Sequence, residues 1–274
     1  MTVPARVGVY GGGRMGAGIA HAFAIAGADV TVVENGTDAA DAARDHIAAS
    51  LTKAVEKGAE VHGTAAVVIE PSALSDCALV VEAVPELIDL KSEVLARIAQ
   101  IAPDAAIATN TSSLSIDELA GALPDPSHLI GLHFFNPVPV SDLVEIVVGA
   151  RTPDALVVRA REWVAGLGKT AITVRDAPGF ASSRLGVALA LEAMRMLEEG
   201  VADAADIDTA MTLGYRHPTG PLKTTDIVGL DVRLAIAEHL ERELGPRFAP
   251  PQVLRDKVAA GELGRKTGRG FYEW

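Results

Sequence analysis

Cysteine is nearly absent from this 274-residue chain. Cys77 stands alone, so no disulfide can form within the chain and a cysteine-based zinc cluster is excluded. A lone thiol fits a reducing compartment, and the expectation is a cytoplasmic protein without a metal centre. Also missing is any apolar run near the roughly 18 residues of a membrane span, because charge or glycine interrupts every apolar stretch. With a strand-like segment beginning by Arg6, the expectation is that no basic, apolar or amphipathic leader precedes it. Positive charge is in deficit: 24 Lys and Arg face 36 Asp and Glu, a net charge of −12. Such a field repels phosphate backbones and argues against nucleic-acid binding. The deficit is uneven, with 12 basic and 22 acidic residues over 1–177 but 12 and 14 over 178–274. An anionic ligand therefore needs a locally positive site.

Hydrophobic residues make up 49% and charged residues 22%, the balance of a folded globular chain. Arg6-Val-Gly-Val-Tyr10 reads as a strand and Gly11-Gly-Gly-Arg-Met-Gly16 as a glycine loop. Met15, Ile19, Phe23 and Ala26 then recur at helical spacing before a second strand, Asp29 to Glu34. A helical stretch over 37–57 follows. Further strands are expected over 66–69, 78–84, 105–108, 128–135, 143–148 and 170–174, with helices over 86–101 and 153–167. Strands alternating with helices imply an open α/β sheet. Beyond Pro178 only helical patterns remain, over 182–199, 204–213, 221–244 and 251–260. The expectation is a Rossmann-type α/β domain over 1–177 and an all-α domain over 178–274, with the Pro-Gly break between them as a candidate hinge. Residues 182–199 are apolar around most of the helix, which makes the second domain a candidate homodimer interface.

A glycine loop alone is weak evidence. Here Gly11, Gly12, Gly13, Arg14, Met15 and Gly16 lie between strand and helix, and the acidic Glu34 ends the next strand. That combination marks a dinucleotide site, with the pyrophosphate at the helix N-terminus. Glu34 can accept hydrogen bonds from ribose hydroxyls and repels a 2′-phosphate, which favours NAD over NADP. The alternative for Glu34 is a solvated strand-end carboxylate.

His133 falls near the end of the 128–135 strand, at the sheet edge where open α/β folds bind ligands. Glu145 lies within the apolar segment 143–148, where a carboxylate is costly unless paired. A histidine is its natural partner: a carboxylate on Nδ1 directs Nε2 to act as a base. Ser112 sits in a polar turn expected at the same edge, although such turns more often cap helices. Serine, histidine and carboxylate also raise a hydrolase reading. It fails because Ser112 has no GxSxG elbow and a dinucleotide loop has no role in hydrolysis.

The motifs then coincide with a known family. Gly11 to Gly16, Asn110-Thr-Ser-Ser-Leu114, Gly131-Leu-His-Phe-Phe-Asn-Pro-Val-Pro139, Leu143-Val-Glu145, Asp176-Ala-Pro-Gly-Phe180, Asp206-Ile-Asp208, His217-Pro-Thr-Gly-Pro221 and Gly264-Arg-Lys-Thr-Gly-Arg-Gly-Phe-Tyr272 resemble the 3-hydroxyacyl-CoA dehydrogenases, in particular their short bacterial 3-hydroxybutyryl-CoA members. The resemblance implies a His133–Glu145 catalytic pair, Ser112 touching substrate and nicotinamide, and Glu86, Lys91, Asn110, Asn136 and Lys266 at the cofactor. By looser similarity, Ser50 and Lys57 meet the CoA portion of an acyl-CoA substrate. Ser183 departs from the pattern, since the family usually places a substrate-lining Asn there. Two alternatives stand beside this reading: an L-gulonate dehydrogenase of the lambda-crystallin type acting on a free hydroxy acid, and a non-catalytic NAD-binding protein.

Overall fold

A computed structural model describes residues 3–274. The chain divides into two compact units, Met1–Ala177 and Pro178–Trp274.

The first unit is built on one eight-stranded sheet with strand order β3-β2-β1-β4-β5-β6-β7-β8. Its strands are β1 (Arg6–Tyr10), β2 (Asp29–Val33), β3 (Thr64–Val68), β4 (Leu79–Glu82), β5 (Ala106–Thr109), β6 (Leu129–Phe134), β7 (Leu143–Val148) and β8 (Thr170–Arg175). Every neighbouring pair is parallel except β6 and β7. Chain order reverses between β1 and β4, the switch point where such sheets open a ligand crevice. Helices α1 (Arg14–Ile25), α2 (Thr37–Glu56), α3 (Ile88–Ile101), α4 (Ile116–Ala120) and α5 (Asp154–Gly166) cover the sheet. β-Branched residues dominate the central strands because both sheet faces are buried. Val7, Val9, Val32, Leu79 and Val81 are fully enclosed, with Ile19 and Phe23 of α1 packed in the same core. Burying each such side chain contributes roughly 1.5–3 kcal/mol.

The second unit contains α6 (Ser182–Glu198), α7 (Ala204–Thr209), α8 (Pro221–Val228), α9 (Leu230–Leu244) and α10 (Gln252–Ala259). Val187, Leu191 and Met194 of α6 pack against Leu222, Leu240 and Leu254. Asp208 caps α8 from outside, accepting 2.8 Å hydrogen bonds from the backbone N–H groups of Leu222 and Lys223. These are donors that a helix beginning in Pro leaves over.

Two features differ from the periodicity. The pattern over 221–244 predicts one helix, but Gly229 adopts φ +111° and splits it into α8 and α9. Only glycine takes that conformation at low cost, and hydrophobic spacing is blind to backbone φ. The apolar α6 is also not enclosed all round: Leu185 is 71% exposed. Among the described residues, no helix is long and apolar enough to cross a membrane, and no cluster of three or more His, Cys, Asp or Glu could hold a metal ion.

Candidate active site

The loop between β1 and α1 is shaped by glycine at two points. Gly11 has φ +95°, and a Cβ on Gly16 would lie 1.8 Å from the Gly11 carbonyl oxygen, so the loop cannot close over any larger residue at position 16. No side chain caps α1 at Gly13, and nothing lies within 4 Å of the place a Gly13 Cβ would take. The first-turn N–H groups of α1 are therefore left without a side-chain cap, the arrangement by which a helix N-terminus receives a pyrophosphate. Glu34 follows β2 beside this loop, with Oε1 accepting a 2.5 Å hydrogen bond from Gly12 N–H. These features fit a dinucleotide.

His133 and Glu145 are directly opposite residues of the antiparallel β6–β7 pair. Such facing side chains lie within reach of each other, and Nδ1 of His133 is 2.7 Å from Glu145 Oε2. Glu145 has no exposure to solvent. The carboxylate accepts from Nδ1–H, which assigns Nε2 as the proton-exchanging nitrogen. The Phe135 ring stands against the imidazole, with centroids 4.6 Å apart, and limits its rotation.

Asn110 and Ser112 follow β5. Asn110 is turned into the sheet, its Oδ1 accepting from Phe134 N–H at 2.9 Å. That bond joins the Ser112 turn to the residue after His133. Glu86 organises the turn: its Oε1 accepts from Thr111 Oγ1, Ser112 N–H, Ser113 N–H and Ser113 Oγ at 2.6–3.1 Å. The Ser112 hydroxyl makes no hydrogen bond among the described residues and remains available to a ligand. Glu86→Ala removes all four acceptor contacts at once. It is expected to lower kcat/KM by about 10²-fold through misplacement of Ser112, with Glu86→Gln retaining most activity because its amide oxygen still accepts. Steady-state kinetics of the two variants check this.

Lys91 is not at a surface. It is 1% exposed, and its Nζ lies 2.7 Å from Glu82 Oε1, 3.1 Å from the Val84 carbonyl and 3.5 Å from Glu86 Oε2. Thr109 Oγ1 donates to the other Glu82 oxygen at 2.6 Å. Lys91 therefore ties the ends of β4 and β5 to Glu86. Glu82 escaped the sequence reading although the signal used for Glu145, a carboxylate inside an apolar strand, applies to it equally.

A cleft of about 310 Å³ opens between α1, α2 and the segment after β6, lined by Arg14, His46, Ser50, Lys53 and Asn136 among others. His46, Ser50 and Lys53 recur at spacings of four and three on one face of α2, so this stripe was also readable from spacing. Lys57 caps the end of α2 outside that lining. Arg14 and Lys53 make the cleft positive within a strongly acidic unit.

Beneath the cleft, His21 is buried on α1 and its Nδ1 lies 3.0 Å from Ser50 Oγ. Burial first, then the nearby Lys169 ammonium, holds its pKa below the usual 6.5. The folded state thus keeps His21 neutral while the unfolded chain protonates it. Stability present above pH 6.5 is lost as pH falls below that value. Urea midpoints measured on either side of it should show this slope, and His21→Asn should flatten it.

Ser183 and Lys266 lie in the second unit. Ser183 is 9% exposed on α6, and both carboxylate oxygens of Asp231 accept from Lys266 Nζ at 2.6 Å.

The sequence profile of the 3-hydroxyacyl-CoA dehydrogenase NAD binding domain matches residues 6–177, and that of the C-terminal domain matches 179–274. A 3-hydroxybutyryl-CoA dehydrogenase of Mycobacterium tuberculosis is 42% identical, covering 98% of both chains. Among solved structures, M. tuberculosis FadB2 superposes with a TM-score of 0.93 at 41% identity, covering 99% of each chain. The (S)-3-hydroxybutyryl-CoA dehydrogenase PaaH1 of Ralstonia eutropha superposes at 0.92 with 38% identity and the same coverage. Profiles spanning nearly the whole chain, relatives matched end to end and a buried histidine–glutamate pair on the same sheet as a dinucleotide loop lead to one conclusion: the chain belongs to the 3-hydroxyacyl-CoA dehydrogenase family, a family of NAD-dependent oxidoreductases.

Proposed function

We propose that this protein catalyses the reversible oxidation of an (S)-3-hydroxyacyl-CoA, represented by (S)-3-hydroxybutyryl-CoA, to the 3-ketoacyl-CoA. The observation that carries the reading is the His133–Glu145 pair, with relatives named for this reaction in support. Bound NAD supplies the two-electron acceptor for C3 of the substrate.

His133 Nε2 takes the proton of the C3 hydroxyl in the oxidation direction. Glu145 holds the ring by Nδ1 and stabilises the imidazolium as it forms. The Ser112 hydroxyl donates to the substrate oxygen from a turn fixed by Glu86. Glu34 receives the adenosine ribose hydroxyls, and its charge disfavours a 2′-phosphate. Arg14, Ser50 and Lys53 hold the phosphate-bearing portion of CoA, with Lys57 one turn farther along α2. In this reading the second unit forms a homodimer, supported by exposed apolar Leu213 and Tyr215, and sedimentation should give twice the chain mass. The buried lone thiol Cys77 supports residence in the reducing cytoplasm.

The test is a spectrophotometric assay of (S)- and (R)-3-hydroxybutyryl-CoA with NAD and with NADP. Reduction of NAD by the S isomer alone is the expected result. No reduction with either isomer, despite NAD binding, would overturn the acyl-CoA reading, and reduction by neither isomer nor L-gulonate would support a non-catalytic NAD-binding protein.

A further inference from the structure

We propose that the second unit carries a binding pocket for a small organic carboxylate, anchored by the guanidinium of Arg233. Arg233 projects from α9 and is only 8% exposed. Its Nε has no hydrogen-bond partner, and the side chain makes no hydrogen bond or ion pair among the described residues. The other deeply buried cation, Lys91, is matched by Glu82. Burial alone pulls the Arg233 pKa down to about 10, so the group stays charged at neutral pH. A buried charge without a partner is costly, and a bound anion is the ordinary way to relieve it.

The surroundings define the anion. Arg233 lines a cleft of about 280 Å³ together with Leu185, Leu189, His217, Thr219 and Thr224, and no acidic side chain is in the lining. The volume sits just below the roughly 300–1,000 Å³ of common small-molecule pockets, which suits a short acid and not a nucleotide. Guanidinium presents a planar fork that matches one carboxylate bidentately, threonine hydroxyls can add further donors, and the leucines offer an apolar wall to a hydrocarbon tail. Gly186 on α6 keeps space beside the fork: a Cβ there would lie 3.3 Å from Nη1. Bare phosphate would leave the apolar wall unused.

Calorimetric titration of the NAD-saturated full chain with hexanoate, hexan-1-ol and inorganic phosphate tests this without reference to turnover. Hexanoate is expected to bind at least about ten-fold more tightly than either control. Arg233→Met should abolish that binding while the ligand-free variant melts at the wild-type temperature or above, because it removes an unpaired buried charge. Leu189→Trp, which fills the cleft and keeps Arg233, should also lose hexanoate. Retained binding in either variant overturns the proposal, as does phosphate binding as tightly as hexanoate. A lower melting temperature for ligand-free Arg233→Met would show that the guanidinium serves the fold, and would equally overturn it. Absence of hexanoate binding together with loss of self-association in Arg233→Met would give the site to a carboxylate of a second copy and overturn the small-ligand assignment.

Discussion

Replacing His133 with Gln is expected to lower kcat by about 10²–10⁴-fold, the usual worth of a positioned general base, while NAD affinity stays near the wild-type value. The substitution keeps a hydrogen-bonding side chain opposite Glu145 but removes the group that takes the proton. The dinucleotide loop is a separate element at the end of β1, which is why binding survives. Glu145→Gln should cost less, because the ring keeps a partner on Nδ1 but loses the negative charge that stabilises the imidazolium. Turnover by His133→Gln within a few-fold of wild type would place the base elsewhere. Rate and NAD affinity falling together would make His133 structural.

The second large effect concerns stability. Lys91→Met is expected to cost about 3–5 kcal/mol, the price of leaving one half of a buried ion pair unpaired. Glu82 has no solvent exposure, so its charge cannot be recovered by water. Thr109 Oγ1 and the Val84 N–H still donate to it, which keeps the loss finite. The double variant Glu82→Gln/Lys91→Met should be more stable than Lys91→Met alone, because the amide needs no counter-charge. Urea unfolding at neutral pH measures both. A loss below about 1 kcal/mol for Lys91→Met, the scale of an exposed pair, would mean that Glu82 takes up a proton in place of the lysine.

Much of the architecture and the centre of the site can be read from the residues, for local physical reasons. Alternating β-branched strands and glycine-punctuated helices announce a parallel sheet. Glu145 betrays itself as a charge in an apolar strand, and the antiparallel turn between 134 and 143 sets it opposite His133. The roles of Glu86 and Lys91 were harder to see. Which face of a loop carboxylate meets which backbone N–H depends on how the ends of β4 and β5 are placed, and spacing along the chain does not contain that. The cleft beside α2 shows a milder version of the difficulty: Ser50 and Lys53 share one face of α2, but Arg14 joins them only when α1 and α2 pack. Gly229 is the opposite case. Hydrophobic periodicity runs through it without a break, and its positive φ alone divides the helix.

The most direct measurement on the central assignment is the rate of NADH consumption with acetoacetyl-CoA, set beside free acetoacetate and beside NAD reduction by L-gulonate, under one set of conditions. Consumption with the CoA thioester, and none with either free acid, is the predicted result. Turnover of L-gulonate with none of acetoacetyl-CoA would contradict it and identify a free hydroxy acid as the substrate.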